Sequence, residues 1–246
     1  MKTTNPALSQ KIINNFAYTS TESTVMTVQG TINKVLILFM LTIAGAVYSW
    51  NKFLMGGPEA VSSFIAIGGI GGFILALLTI FNKKNSHIYA PIYAVLEGLF
   101  LGAISAFFAS AYDGIVMRAV LLTMGVFFTM LFMYKTRMIR VTQKFRSGVI
   151  AATIGIAVAY FFSFILSLFG MNTSFMYGGG TFGIIISLVI VGIAALNLIL
   201  DFDFIENGAQ AGLPKYFEWY GAFGIMVTLI WLYMEILRLL SKISRN

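Results

Sequence analysis

Apolar residues dominate seven long stretches of this chain, near 34–51, 60–82, 88–110, 115–134, 148–170, 180–205 and 219–240. A helix needs about 20 mostly apolar residues to cross the ~30 Å hydrocarbon layer of a bilayer, and each stretch is of that order. Polar residues gather in the breaks: "NKFLMGGPE", "FNKKNSH", "ASAYDG", "YKTRMIRVTQKFRS", "GMNTSFMYGGG" and "ENGAQAGLPKYFE". Ten-residue blocks alternating with period two, which would mark an outer-membrane barrel, do not occur. The pattern predicts an all-α integral membrane protein of about seven transmembrane helices, forming one domain over residues 31–246 without an internal repeat. Residues 1–30 are polar and rich in Ser, Thr and Asn. They lack the charged, apolar and small-residue succession of a cleavable signal peptide, so a flexible, solvated tail is expected, with at most a short amphipathic turn around Ile12, Ile13 and Phe16.

Composition agrees with the pattern. Hydrophobic residues make up 59% of the 246 and charged residues only 10%, with a mean hydropathy of +0.88. A soluble domain carries about 25% charged residues and could not cover its surface with so few. Lysine and arginine set the orientation. With the N-terminus cytoplasmic, eleven of the sixteen fall on the cytoplasmic side and five on the other, the bias expected of an inner (plasma) membrane protein inserted with its N-terminus inside. Three of the five, Arg238, Lys242 and Arg245, change sides if the last segment re-enters rather than crosses. The net charge of +7 sits in one interhelical loop and at segment ends, where anionic lipid explains it without a nucleic-acid partner.

The chain has no cysteine, and its one histidine, His87, falls in a break. Zinc sites built from thiolates or paired histidines are thereby excluded, and no Walker-type loop or HExxH occurs. No cofactor is expected. The glycine pairs Gly68/Gly72 and Gly98/Gly102 have the four-residue spacing that lets helices approach closely in lipid. Nothing polar accompanies the pair in the second segment.

Acids inside the apolar stretches are costly and therefore candidates for function: Glu97, Asp201, Asp203, Glu206 and Glu235. Asp203 and Glu206, beside Asn207 and Gly208, read most simply as the solvated end of the sixth segment. Glu97 lies about ten residues into the third and is equally well read as structural. Asp201 is a turn deeper and shares a helical face with Asn197, four residues before it. Glu235 stands deep in "LIWLYMEILRLL", with Arg238 one turn on, able either to neutralise it or to reach for the interface. Segments 6 and 7 are consecutive and antiparallel. Asp201 and Glu235 meet if both lie about 10–12 residues from the intervening turn, which requires helix 6 to run past Ile205. Two carboxylates in a low-dielectric site cannot comfortably both ionise, so such a pair shares a proton and forms a pH-sensitive latch. Ionised, Asp201 and Glu235 are also candidate oxygen ligands for a hard divalent cation such as calcium.

The stretches "LDFDFIENG" and "YFEWYGAFGIMVTLIWLYMEILRLLSK", with "NPALS" near the start and "YAVLEGLFLGAIS" in segment 3, resemble the Bax-inhibitor-like (transmembrane Bax inhibitor motif) family, and its bacterial branch in particular. The resemblance implies two three-helix layers around a central C-terminal helix. It also implies a pH-dependent calcium leak gated by a carboxylate pair on the last two helices. Asp201 and Glu235 take the positions of those acids, with Asn197, Asp203, Glu97 and Arg238 as supporting polar groups. This sequence departs from the pattern in having glutamate as the second acid, a longer connection between segments 6 and 7, and no basic residue in segment 2. The expected function is a proton-gated calcium leak, whose partners are the lipid bilayer, calcium and protons. The alternative is a non-transporting regulator that binds a membrane protease through residues 1–25 or the 135–146 loop. An intramembrane enzyme is not expected: the Gly-x-Gly-Asp motif of aspartyl intramembrane proteases is missing. A retinal-type lysine in mid-segment 7 is missing too, Lys242 lying past the apolar stretch.

Overall fold

The structure, a computed structural model, describes residues 25–170 and 180–245. Among the described residues seven α-helices follow one another: α1 Val28–Gly56, α2 Glu59–Phe81, α3 Ser86–Ala111, α4 Ile115–Lys135, α5 Gln143–Leu168, α6 Thr181–Gln210 and α7 Phe217–Ser244. A 3-10 turn, Lys83–Asn85, precedes α3. All seven are long and apolar enough to cross a membrane. The described residues contain no strand, only an isolated antiparallel bridge between Val25 and Pro214. The all-α, seven-helix class is thus observed.

Local chemistry sets the helix boundaries. Thr27 caps α1, its hydroxyl accepting a hydrogen bond from Gly30 N at 2.9 Å, and Thr142 caps α5 the same way through Phe145 N at 3.2 Å, each satisfying an amide that the first turn leaves without a helical partner. Gly57 and Gly114, both at φ 68°, turn the chain after α1 and before α4 in a conformation that costs other residues a steric penalty.

The helices extend beyond the apolar stretches, and this changes three expectations. α1 begins at Val28, so the polar tail ends earlier than residue 30, and residues 1–24 lie outside the described residues. His87 is in the first turn of α3 rather than in a break. Lys242 belongs to the last turn of α7, where it is buried. α7 runs unbroken for 28 residues, the length of a full crossing rather than a re-entrant loop.

Large apolar side chains on the outer faces are exposed, among them Leu36, Met40, Phe73, Phe128, Phe132 and Phe161. In water this surface would aggregate; in lipid it is the solvated face. α7 is the most enclosed helix: 56% of its most apolar stretch is buried, against 44% or less for every other. The resemblance implies such enclosure for a central C-terminal helix.

The described residues of Met1–Ala106 with Asp203–Met226 form one compact unit, and those of Phe107–Phe202 with Val227–Asn246 a second. In the first, glycines let α1 and α3 touch backbone to backbone. A Cβ on Gly45 would stand 2.7 Å from Val95 O, and one on Gly98 would collide with Thr42 O. Gly68 meets α3 in the same way, at Leu96 O, as its spacing predicts. Gly72 differs. Its missing side chain leaves room for the carboxyl group of Glu97, so the glycines of α2 do have a polar companion, supplied by α3. In the second unit Phe202 packs against Phe127 and Tyr134, with ring centroids 5.7 and 5.9 Å apart.

Candidate functional site

Within the second unit, α5, α6 and α7 bring polar side chains to matching depths. Thr153 stands ten residues into α5, Thr228 eleven into α7, and Asn197 and Asp201 thirteen and nine residues from the end of α6. Asp201 contacts Thr228 and Ser187 contacts Lys242, so α6 and α7 run antiparallel and these counts define one level. The Thr228 hydroxyl donates to Asp201 Oδ2 at 2.6 Å. Asn197 Nδ2 donates to Thr153 Oγ1 at 2.8 Å and to Ile193 O at 2.9 Å.

A second level lies further along α7. Glu235, whose side chain is 2% exposed, accepts from Tyr160 OH at 2.8 Å, from Trp231 Nε1 at 3.3 Å and from Arg238 Nη1 at 3.0 and 3.2 Å. Arg238 Nη1 also donates to Tyr160 OH at 2.7 Å, and its guanidinium lies 5.3 Å from the centre of the Tyr160 ring. Of its two options, neutralising Glu235 or reaching for the interface, Arg238 takes the first. The i, i+3 spacing puts it over Glu235, and a buried carboxylate without a counter-charge costs more than the solvation the guanidinium would gain. Beyond it, buried Lys242 donates to Ser187 Oγ at 2.9 Å and Gly183 O at 3.2 Å, and Arg245 Nε donates to Tyr112 OH at 2.7 Å. Thr228, Trp231, Glu235, Arg238 and Lys242 succeed one another at three- and four-residue intervals, a polar stripe along α7 that Arg245, just past its end, continues.

Helix 6 runs past Ile205, as a meeting of the two acids requires, yet they do not stand at equal depth. Glu235 is eighteen residues into α7, seven beyond Thr228 and so about 10 Å further along the axis. The Trp231 contact shows its side chain leaning back toward the N-terminus of α7, the direction helical geometry gives it, which closes part of that gap. Asp203 is buried, 8% exposed, rather than on a solvated end, because seven more helical residues follow it. Asp203 and Glu97 both fall in the first unit.

Among the described residues no three His, Cys, Asp or Glu side chains gather as a metal cage. Asp201 can offer a cation only one carboxylate, with the neutral oxygens of Asn197 and Thr228 beside it.

Residues 5–245 match the family described as Bax inhibitor 1 like. The chain belongs to that family. No curated protein matches it. Membership and the seven apolar helices together make this Bax inhibitor 1 like protein a multi-pass membrane protein. It carries three structural features that its sequence did not announce. Thr228 and Tyr160 are ordinary residues in apolar helices until their partners, 27 and 75 residues away, are known. Glu218 is the third. Read as part of a loop, it is buried in the first turn of α7, accepting from Thr27 N at 3.1 Å, Thr27 Oγ1 at 2.9 Å and Lys34 Nζ at 2.7 Å. It pins the start of α1 to the start of α7, and Gly30 leaves space for its carboxyl group.

Proposed function

We propose that this protein is a pH-sensitive cation leak, with calcium the permeating ion and the acids of α6 and α7 its gate. The observation that carries the proposal is Asp201, a carboxylate in mid-helix whose hydrogen-bond partner, Thr228, lies on the helix that carries Glu235. A lone acid at that depth is costly and is retained where charge or protons move. Family membership supports the same reading.

In the arrangement described, each acid is held by its own partners: Asp201 by a neutral hydroxyl, Glu235 by Arg238, Tyr160 and Trp231. Glu235 has Arg238 as its counter-charge, with buried Lys242 also within electrostatic reach, whereas the hydrogen bond that holds Asp201 comes from a neutral hydroxyl. The bond from Thr228 to Asp201 joins α6 to α7, and with a proton on Asp201 it does so without a buried charge. Losing the proton leaves at Asp201 a charge that a divalent cation can neutralise through oxygen ligands. Calcium release therefore rises with pH.

Purified protein in calcium-loaded liposomes tests this. Asp201→Asn should flatten the pH dependence, and Glu235→Gln should displace or flatten it. Parent-like pH profiles in both variants would sink the gate. A regulator acting through residues 1–25 would instead lose its effect on a membrane protease when that tail is deleted, with flux unaltered.

A further inference from the structure

Between Asp113 and Asp201 the chain carries no acidic residue, yet five basic ones crowd the end of α4, the connection after it and the first turn of α5. Two of them, Arg137 and Arg146, have partners within the protein; the guanidinium of Arg137 lies 5.4 Å from the centre of the Tyr134 ring. The other three, Lys135, Arg140 and Lys144, are exposed and make no hydrogen bond or ion pair among the described residues. Lys34, by contrast, is neutralised by Glu218 at 2.7 Å. Like charges gathered without acids among them raise the local potential and draw in an anion. The connection also keeps these cations close to the membrane. Only residues 136–142 lie outside the two helices, and they fold back on the end of α4. Met138 N and Ile139 N both donate to Met133 O, at 3.0 and 3.4 Å, and Thr142 N donates to Arg140 O at 2.9 Å. The cations therefore stay at the level where spanning helices end, which is the headgroup layer. Among them Met138 is 67% exposed, an apolar side chain suited to acyl chains rather than water. On α4 itself Lys135 shares one face with Phe132 and Phe128, three and seven residues before it, and both rings are exposed. They lie about 5 and 10 Å deeper along the axis. Cation first and apolar surface beneath it is the order in which a phospholipid presents its phosphate and its acyl chains.

We infer that the α4–α5 connection is a binding surface for anionic phospholipid, in which Lys135, Arg140 and Lys144 hold the headgroup while Phe128, Phe132 and Met138 lie against the acyl chains. An acidic protein partner would match the cations but not the apolar side chains beside them. Free phosphate would match the cations alone. The surface involves none of the acids of α6 and α7, and it stands whether or not the protein conducts.

The experiment titrates the full-length protein in neutral detergent with phosphatidylglycerol, and separately with phosphatidylcholine of the same chains. Unfolding temperature and the lipid retained in native mass spectrometry are the readouts. Phosphatidylglycerol should stabilise the parent saturably, as a ligand of the folded state does, and less so at high salt. Phosphatidylcholine and inorganic phosphate should give no such rise. The triple variant Lys135→Gln, Arg140→Gln, Lys144→Gln should unfold like the parent without lipid and need about tenfold more phosphatidylglycerol for half the effect. Lys52→Gln, Lys84→Gln, Lys215→Gln removes as much charge elsewhere and should bind as the parent does. Phe132→Ala should weaken binding of long-chain phosphatidylglycerol and spare that of a short-chain form. Equal stabilisation by the two lipids overturns the surface, and so does a first triple variant that binds like the parent. A second triple variant that loses as much as the first overturns it too, because net charge alone would then account for binding. Inorganic phosphate acting as well as phosphatidylglycerol, or Phe132→Ala leaving both chain lengths unaffected, removes the acyl chains from the site and overturns a lipid as its occupant.

Discussion

A methyl group added at Gly98 would strike the carbonyl oxygen of Thr42, and one at Gly102 that of Ala46. These are backbone atoms of a helix, which cannot step aside as a flexible side chain does. Gly98→Val should therefore force α1 and α3 apart and destabilise the protein by about 1–3 kcal/mol, the usual cost of overpacking. A lowered unfolding temperature in detergent checks it, with Gly125→Val as the control, since a Cβ there meets nothing within 4 Å. Single residues were unevenly legible in the sequence. The glycine pairs and the Asn197–Asp201 spacing could be read directly, because both depend on neighbours within one helix. Thr228, Tyr160 and Glu218 could not. Their roles exist only through partners on other helices, and hydroxyls, rings and one terminal carboxylate are unremarked in an apolar pattern.

Helices as units carry the next layer of the account. Apolar length predicted all seven, but not their ends, because the first turn of α1 and the last turns of α6 and α7 carry polar residues that the hydrophobic pattern does not register. That matters most for the two acids: the depth of Asp201 and Glu235 depends on α6 ending at Gln210 and α7 beginning at Phe217, boundaries that a glycine-bearing connection does not announce. The polar stripe of α7 makes its own demand. Glu235 is buried against Arg238, so Arg238→Gln leaves a carboxylate without its counter-charge. The expected cost is about 3 kcal/mol, at the low end for a buried pair because the Arg238 side chain is 30% exposed. Adding Glu235→Gln removes the orphaned charge and should restore at least half of that loss in a double-mutant cycle. A single-variant cost below about 1 kcal/mol, the range of exposed ion pairs, would show that the two do not depend on each other.

At the scale of the whole molecule, the protein presents apolar side chains outward and keeps its polar groups along α5, α6 and α7 in one unit and around Glu218 in the other. The membrane class was legible from length and composition alone, since nothing but lipid tolerates so much exposed apolar surface. The two-unit organisation was not: both α6 and α7 divide between the units in mid-helix, at Phe202/Asp203 and Met226/Val227, where nothing in the apolar pattern changes. The central claim concerns this molecule as a conduit, and the most direct measurement is calcium release from liposomes containing the unmodified protein, set beside protein-free liposomes and followed from acid to alkaline pH. Release above the protein-free rate, rising with pH, is the predicted result. Release equal to that of protein-free liposomes at every pH would contradict it.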